Sequence, residues 1–194
     1  HIMPDLPGTT PENDKNMIQI VLTNQNFIPD YLKLYPCLDV EYTEIRKWKH
    51  DGRWKPYSEE NKGQTLLDVC LVAKLYSQEY IRYNRIQRDF PEEKEGRIGY
   101  SSKYIRGNFR QMLQNYAKKN GITCKCIRCR EVKRKKVINP TMKQEAYYAS
   151  GGKEYFMSTT SSDNKTLYGF VRLRFNSSSI FKELDNHAII RELH

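Results

Sequence analysis

At 194 residues the chain can bury a substantial core, as one large domain or two small ones. A mean hydropathy of −0.80 with patterned apolar residues excludes a disordered chain, and no apolar run approaches the roughly 18 residues of a membrane-spanning helix. The net charge of +10 favours a polyanionic partner such as nucleic acid or an acidic surface, although a basic surface can also serve solubility alone.

The opening residues, HIMPDLPGTT, lack the charged-then-apolar layout of a signal peptide, so a cytoplasmic location is expected. HIM reads as the end of a strand and PDLPG as a loop. Thr10, Pro11 and Glu12 then supply a cap hydroxyl, a proline at the first helical position and an acid in the first turn. Met17, Ile18, Val21 and Leu22 continue that helix. A strand is predicted over YLKLYP, where Leu32 and Leu34 alternate with Tyr31, Lys33 and Tyr35. TEIRKWKH forms a short helix stopped by Asp51-Gly52, and Ser58 with Glu59 and Glu60 is expected to start a longer helix through LLDVCLVAKLY. A third strand is predicted over YIRYNRIQR. Strands alternating with helices imply right-handed crossovers and a parallel sheet, with too few strands to close a barrel of about eight.

After Asn108, FRQMLQNYAKKNG predicts an amphipathic helix with Met112, Leu113, Tyr116 and Ala117 on one face and Gly121 as its stop. The texture then changes. KQEAYYA, a Ser150-Gly151-Gly152 turn, KEYFMSTT, a Ser-Ser-Asp-Asn turn and TLYGFVRLRF read as an antiparallel meander, and HAIIRELH as a further strand. A boundary between two units is expected near residues 120–140.

That boundary carries CKCIRCREVKRKK, residues 124 to 136. Cys124, Cys126 and Cys129 are spaced so that their thiolates can meet at one centre, and an odd total of five cysteines in a cytoplasmic chain favours a metal over disulfides. Zinc is the expected ion, because a junction with little core benefits from a staple; an iron–sulfur cluster or an empty reduced cluster are the rivals. Cys37, His187 or an exogenous group could complete the shell, whereas Cys70 sits in an apolar helix and reads as core. The cations Lys125, Arg128, Arg130, Lys133, Arg134, Lys135 and Lys136 surround the thiols. They are either a solvated loop or a phosphate-binding surface. RNA is favoured because Arg46, Lys47, Lys49 and Arg53 are interleaved with Trp48 and Trp54, and Arg85 with Tyr80 and Tyr83, which offers stacking surfaces; Lys33 adds to the same charge. Trp48 fits equally well as core, at helical spacing from Ile45. No P-loop, triad or paired carboxylates stand out.

The order of segments HIMPDLPG, LKLYPCL, RWKPYS, YNRIQRDFP, GNFR, CKCIRCREV, YASGGKEYF, GFVRLRF and IIRELH resembles the catalytic subunit of Elongator, the third Elongator protein. The resemblance runs from the first residue to the last. It implies an α/β chain: the C-terminal half of a radical S-adenosylmethionine (SAM) partial barrel over 1–120, a zinc junction over 121–140, and the antiparallel start of a GNAT-type acetyltransferase over 141–194. It implies wobble-uridine modification of tRNA with acetyl-CoA as carbon donor, with tRNA and other Elongator-like subunits as partners and no membrane. Zinc is expected in this chain. The motifs for the iron–sulfur cluster with SAM and for the acetyl-CoA pyrophosphate are expected beyond its two ends, so the chain alone is not expected to catalyse. By the same resemblance Glu192, Leu193 and His194 line the acetyl-CoA site, largely through backbone. Gln87 and Arg88 end a barrel strand at the radical site, where ligands of open α/β sheets gather, although Arg88 could instead pair with Asp89. The competing expectations are a non-catalytic RNA-binding module and a protein lysine acetyltransferase.

Overall fold

The computed structural model describes residues 1–87, 98–100, 104, 108–134, 136–176 and 178–194, with 98–100 described by backbone alone. Five α-helices are described: α1 Pro11–Thr23, α2 Glu44–His50, α3 Gln64–Leu75, α4 Phe109–Lys119 and the single turn α5 Ile127–Arg130. The strands are β1 Tyr31–Leu34, β2 Leu38–Val40, β3 Arg82–Ile86, β4 Ile98–Tyr100, β5 Thr141–Ala149, β6 Gly152–Thr160, β7 Leu167–Phe175 and β8 Ala188–Leu193.

The first half is built on parallel pairing. β1 and β3 run parallel, and Ile2 bridges Leu34 in the same sense, so the opening HIM segment lies beside the sheet as expected. α1 starts where its sequence says: Thr10 Oγ1 accepts from the Asn13 amide at 3.2 Å, with Pro11 at the first position. α2 is capped by Thr43 and stops at Asp51, with Gly52 at φ +80°. α4 follows Asn108 and buries Phe109, Leu113 and Ala117; Met112 packs at the margin of the core, so the buried face is rotated slightly from the predicted one.

One expectation is corrected, and one feature was not predicted. The helix predicted from Ser58 begins at Gln64. Residues Tyr57–Gly63 form a 3-10 stretch instead, because Asp5 holds the Tyr57 and Ser58 amides at 2.8 and 3.2 Å and Asn61 and Lys62 take left-handed φ values that an α-helix cannot include. The short antiparallel pair β2–β4 is also unforeseen, since strands of three residues carry too few positions to show alternation.

The second half is a four-stranded antiparallel sheet in the order β5-β6-β7-β8. The meander and its final strand fall where they were predicted. β6 alternates in burial, with Gly152, Glu154, Phe156, Ser158 and Thr160 inside. The two halves differ in texture, yet one apolar core runs through both, joining Leu32, Leu34, Ile81 and Tyr83 to Phe156, Leu167 and Phe170. Tyr80 and Tyr147 stack across the seam with centroids 3.7 Å apart. Arg172, only 1% exposed, donates to the Tyr80 carbonyl and to Glu192 at 2.6 Å each and lies 3.2 Å from Asp30. Burial would raise the Asp30 carboxyl, but the hydrogen bond from Arg191 and the charge of Arg172 outweigh it and hold the group below the usual carboxylate range.

Candidate metal centre

The cysteine loop is laid across the seam by backbone hydrogen bonds on both sides. The Ile127 amide donates to the Ile81 carbonyl at 3.0 Å, next to β3, and the Val132 amide donates to the Leu167 carbonyl at 3.0 Å, at the start of β7. α5 turns the chain between these anchors, so that Cys126 at its cap and Cys129 within it face Cys124. The three Sγ atoms lie within 4.8 Å of one another. Zinc–sulfur bonds of about 2.3 Å in a tetrahedron place sulfurs about 3.8 Å apart, so the donor set fits a thiophilic divalent ion with little adjustment. Cys126 is buried, Cys124 is half-buried and Cys129 reaches the surface. Hydrogen bonds from Cys126 and then Cys129 hold the Cys124 thiol down, while the same sharing drives Cys126 up.

No fourth donor of the Cys, His, Asp or Glu type joins this cluster among the described residues. Cys37 is elsewhere, its thiol pushed up to about 12 by burial, and His187 is exposed just before β8. Cys70 is fully buried in α3, as expected of core. A cavity of about 330 Å³ opens onto Cys124 and Cys129, bounded by Lys74, Lys118 and Thr123.

The cations divide into three groups. Arg130, 5% exposed, is a clamp: it donates to the carbonyls of Lys125 and Glu79 at 2.8 Å each and to Asn164 at 3.0 Å, which fixes the thiol loop to both halves and removes it from any ligand-facing surface. Arg46 and Lys49 both approach Asp39 at 3.6 Å, Lys49 also meets Glu59, Lys47 meets Glu44, Arg53 meets Asp51 and Arg128 meets Glu131. These cations are partly neutralised within the chain. Arg85, Lys125, Lys133, Arg134 and Lys136 are exposed, and Lys33 is half-buried. Lys135 and Arg88 lie outside the described residues.

The aromatic part of the expected RNA surface is corrected. Trp54 is 4% exposed, and Tyr80 and Tyr83 are buried, so their rings pack inside the protein and offer no face to a base. Trp48 is half-buried, with Arg53 over its ring at 5.6 Å.

Gln87 is 1% exposed, at φ +62°, and lines an apolar cavity of about 340 Å³ at the carboxyl end of β3, with no hydrogen-bond partner for its amide among the described residues. Glu192 accepts from Arg172 and from the Tyr31 hydroxyl, which orients its carboxylate into the protein. Leu193 and His194 are exposed, and the His194 amide and carbonyl pair with Phe170 at 2.9 Å each. Sequence reasoning missed Lys74, Arg130 as a clamp, and Arg172. The first had a legible signal, a lysine inside the apolar run VCLVAKLY.

Residues 29–119 match the family model for the Radical_SAM C-terminal domain. Over all of this chain, 37% of residues are identical to a tRNA uridine(34) acetyltransferase of Methanocaldococcus jannaschii, of which 36% is covered. The human Elongator complex protein 3 is 33% identical over the whole chain, with 35% of that protein covered. The solved structure of Methanocaldococcus infernus Elp3 with an N-terminal deletion (1–46) superposes with a TM-score of 0.86 at 36% identity, covering all of this chain and 46% of that one. The chain therefore spans a little over a third of the length of these curated relatives. With an α/β half matching the Radical_SAM C-terminal domain, an antiparallel sheet and a thiol cluster between them, the chain is homologous over its whole length to the Elp3/tRNA uridine(34) acetyltransferase proteins.

Proposed function

We propose that this chain is part of an acetyl-CoA-dependent enzyme that modifies the wobble uridine of tRNA, and that it supplies the domain junction and part of the tRNA-binding surface. The observation that carries this reading is the unbroken match from end to end, which includes the parallel half, the thiol loop and the antiparallel sheet in one order. Zinc is the ion assigned to Cys124, Cys126 and Cys129, supported by the thiolate donor set and by its place between two halves that share the core. When bound it would act as a structural staple.

In this reading the exposed cations Lys125, Lys133, Arg134 and Lys136, with Arg85, meet phosphates, since they combine exposure with a position beside the junction. The cavity beside Gln87, with Arg88 following it, belongs to the radical site served by SAM and an iron–sulfur cluster, and β8 from Glu192 to His194 belongs to the acetyl-CoA site. Other Elongator-like subunits are partners of the whole enzyme. Trp54 and Arg130 take no part in RNA contact.

Removing the encoding gene and measuring wobble nucleosides by mass spectrometry tests the proposal. The expected result is loss of the acetyl-derived substituent at uridine 34, restored by the wild-type gene and restored poorly by a Lys133→Ala, Arg134→Ala, Lys136→Ala variant. Unchanged uridine 34 overturns it, and a change confined to protein lysine acetylation would replace it with the protein-acetylating reading.

A further inference from the structure

A buried charge beside the thiols belongs to Lys74. It sits in α3 on the face that carries Leu66, Val69, Cys70 and Ala73, and it is 2% exposed. Its ammonium lies 3.8 Å from Cys129 Sγ and 5.2 Å above the centroid of the Tyr83 ring. No carboxylate forms an ion pair with it among the described residues. A lysine ammonium removed from water without a counter-charge is costly, and buried charges in proteins are paired or meet a metal site. Lys118, which lines the same cavity, is exposed and has no such need.

We propose that Lys74 is the counter-ion of the thiolate site, a positioning residue that neutralises the charge left when three thiolates bind a divalent ion. The arithmetic is simple. Three thiolates and a doubly charged cation sum to one negative charge, and the ammonium, itself buried, brings the sum to zero. At this distance the Lys74 ammonium can donate to Cys129 Sγ, the kind of outer hydrogen bond that orients a metal ligand. The tyrosine ring beneath supports the ammonium from its other side through its π-face. Lysine and metal thus each lower the cost of burying the other. This inference rests on the reading of the three cysteines as a metal site.

The test is metal affinity of the purified chain, stripped and then titrated with zinc or cobalt against a chromophoric chelator. It compares wild type with K74M, K74R and K118M. Methionine keeps the length and apolar body of lysine without its charge. K74M is expected to lose about 10- to 100-fold in affinity, the usual effect of removing an outer-sphere partner. It is also expected to shift the thiolate-to-cobalt charge-transfer band, while K74R recovers most of the affinity and K118M changes it less than about twofold. The metal-free K74M protein should melt no lower than metal-free wild type, because an unpaired buried charge has been removed. A residue that merely packs would lower metal-free stability and leave the cobalt band in place.

Folded K74M with wild-type affinity and an unmoved band overturns the proposal. If K74M does not fold, the lysine ammonium resonance of ¹⁵N-labelled wild type decides instead: metal loading should slow exchange of the Lys74 ammonium, and no change overturns the inference. Failure of wild type itself to take up either metal sinks the metal reading, and is seen in the first titration before any variant is compared.

Discussion

Single residues in this protein carry burdens that their neighbours in sequence do not reveal. Asp5, at the loop after the first bridge residue, accepts from the Tyr57 and Ser58 amides while its own amide donates to Asp14 at 2.8 Å. Burial raises its carboxyl from 3.8 to about 6, against the hydrogen bonds from Ser58 and Tyr57. Because the folded value lies above the unfolded one, the native state keeps a proton that the unfolded chain has released between about pH 4 and pH 6. The contribution of this group is therefore full below that window and lost as pH rises through it, by about 3 kcal/mol for a shift of this size. Asn tolerates the positive φ of this position and does not titrate. Urea unfolding of wild type and Asp5→Asn across pH 4 to 7 should show wild type losing stability relative to the variant up to about pH 6 and running parallel above it. Parallel curves throughout would show that Asp5 titrates alike folded and unfolded.

At the scale of elements, the end of the antiparallel sheet depends on a close approach. Gly169 in β7 faces the His194 carbonyl, and a Cβ there would lie 2.9 Å from that oxygen. The contact lies beside the rung in which Phe170 and His194 exchange both backbone hydrogen bonds. Gly169→Ala should force the end of β8 away from β7 and cost about 1 to 3 kcal/mol, the range for lost and unsatisfied hydrogen bonds. Hydrogen exchange should then show faster exchange of the Phe170 and His194 amides with β5–β6 unchanged. Full protection at both amides would mean that β8 shifts without separating. This is also the scale at which Arg172 acts. From β7 it holds Glu192 of β8, the Tyr80 carbonyl and Asp30 ahead of β1, so the sheet end and the parallel half are positioned by one guanidinium.

For the whole molecule, the thiol loop is the point where both halves converge. Ile127 and Val132 bond to opposite sides of the seam, and Arg130 ties the loop to Glu79 and Asn164. Metal binding at such a point becomes folding free energy. A strong chelator should lower the melting temperature of metal-loaded protein by on the order of 10 °C, given several kcal/mol and about 2 to 4 °C per kcal/mol in a chain of this size. Cys126→Ala should melt near the chelated wild type and respond no further to chelator. Calorimetry with and without chelator measures both, and an unaltered wild-type melt would remove the ion from the stability of the junction. No helix among the described residues is long and apolar enough to cross a membrane, in keeping with the apolar runs of the sequence.

What the sequence determined by itself is local. Thr10-Pro11, Thr43 and Gly52 set helix ends because caps and stops act within a few residues; the β-branched and aromatic enrichment of KEYFMSTT between two turn signals made β6 legible. The spacing of Cys124, Cys126 and Cys129 made the thiol cluster legible because three donors so close along the chain can meet at one centre. What only tertiary structure decided is which polar groups are inside. Arg130 and Arg172 read as ordinary cations along the chain, Lys74 stands out only by its apolar neighbours, and Trp54, Tyr80 and Tyr83 read as rings among charges. Burial of such side chains depends on partners far away in sequence, a thiol 55 residues from Lys74 and a carbonyl 92 residues from Arg172, and no local pattern encodes a partner at that distance.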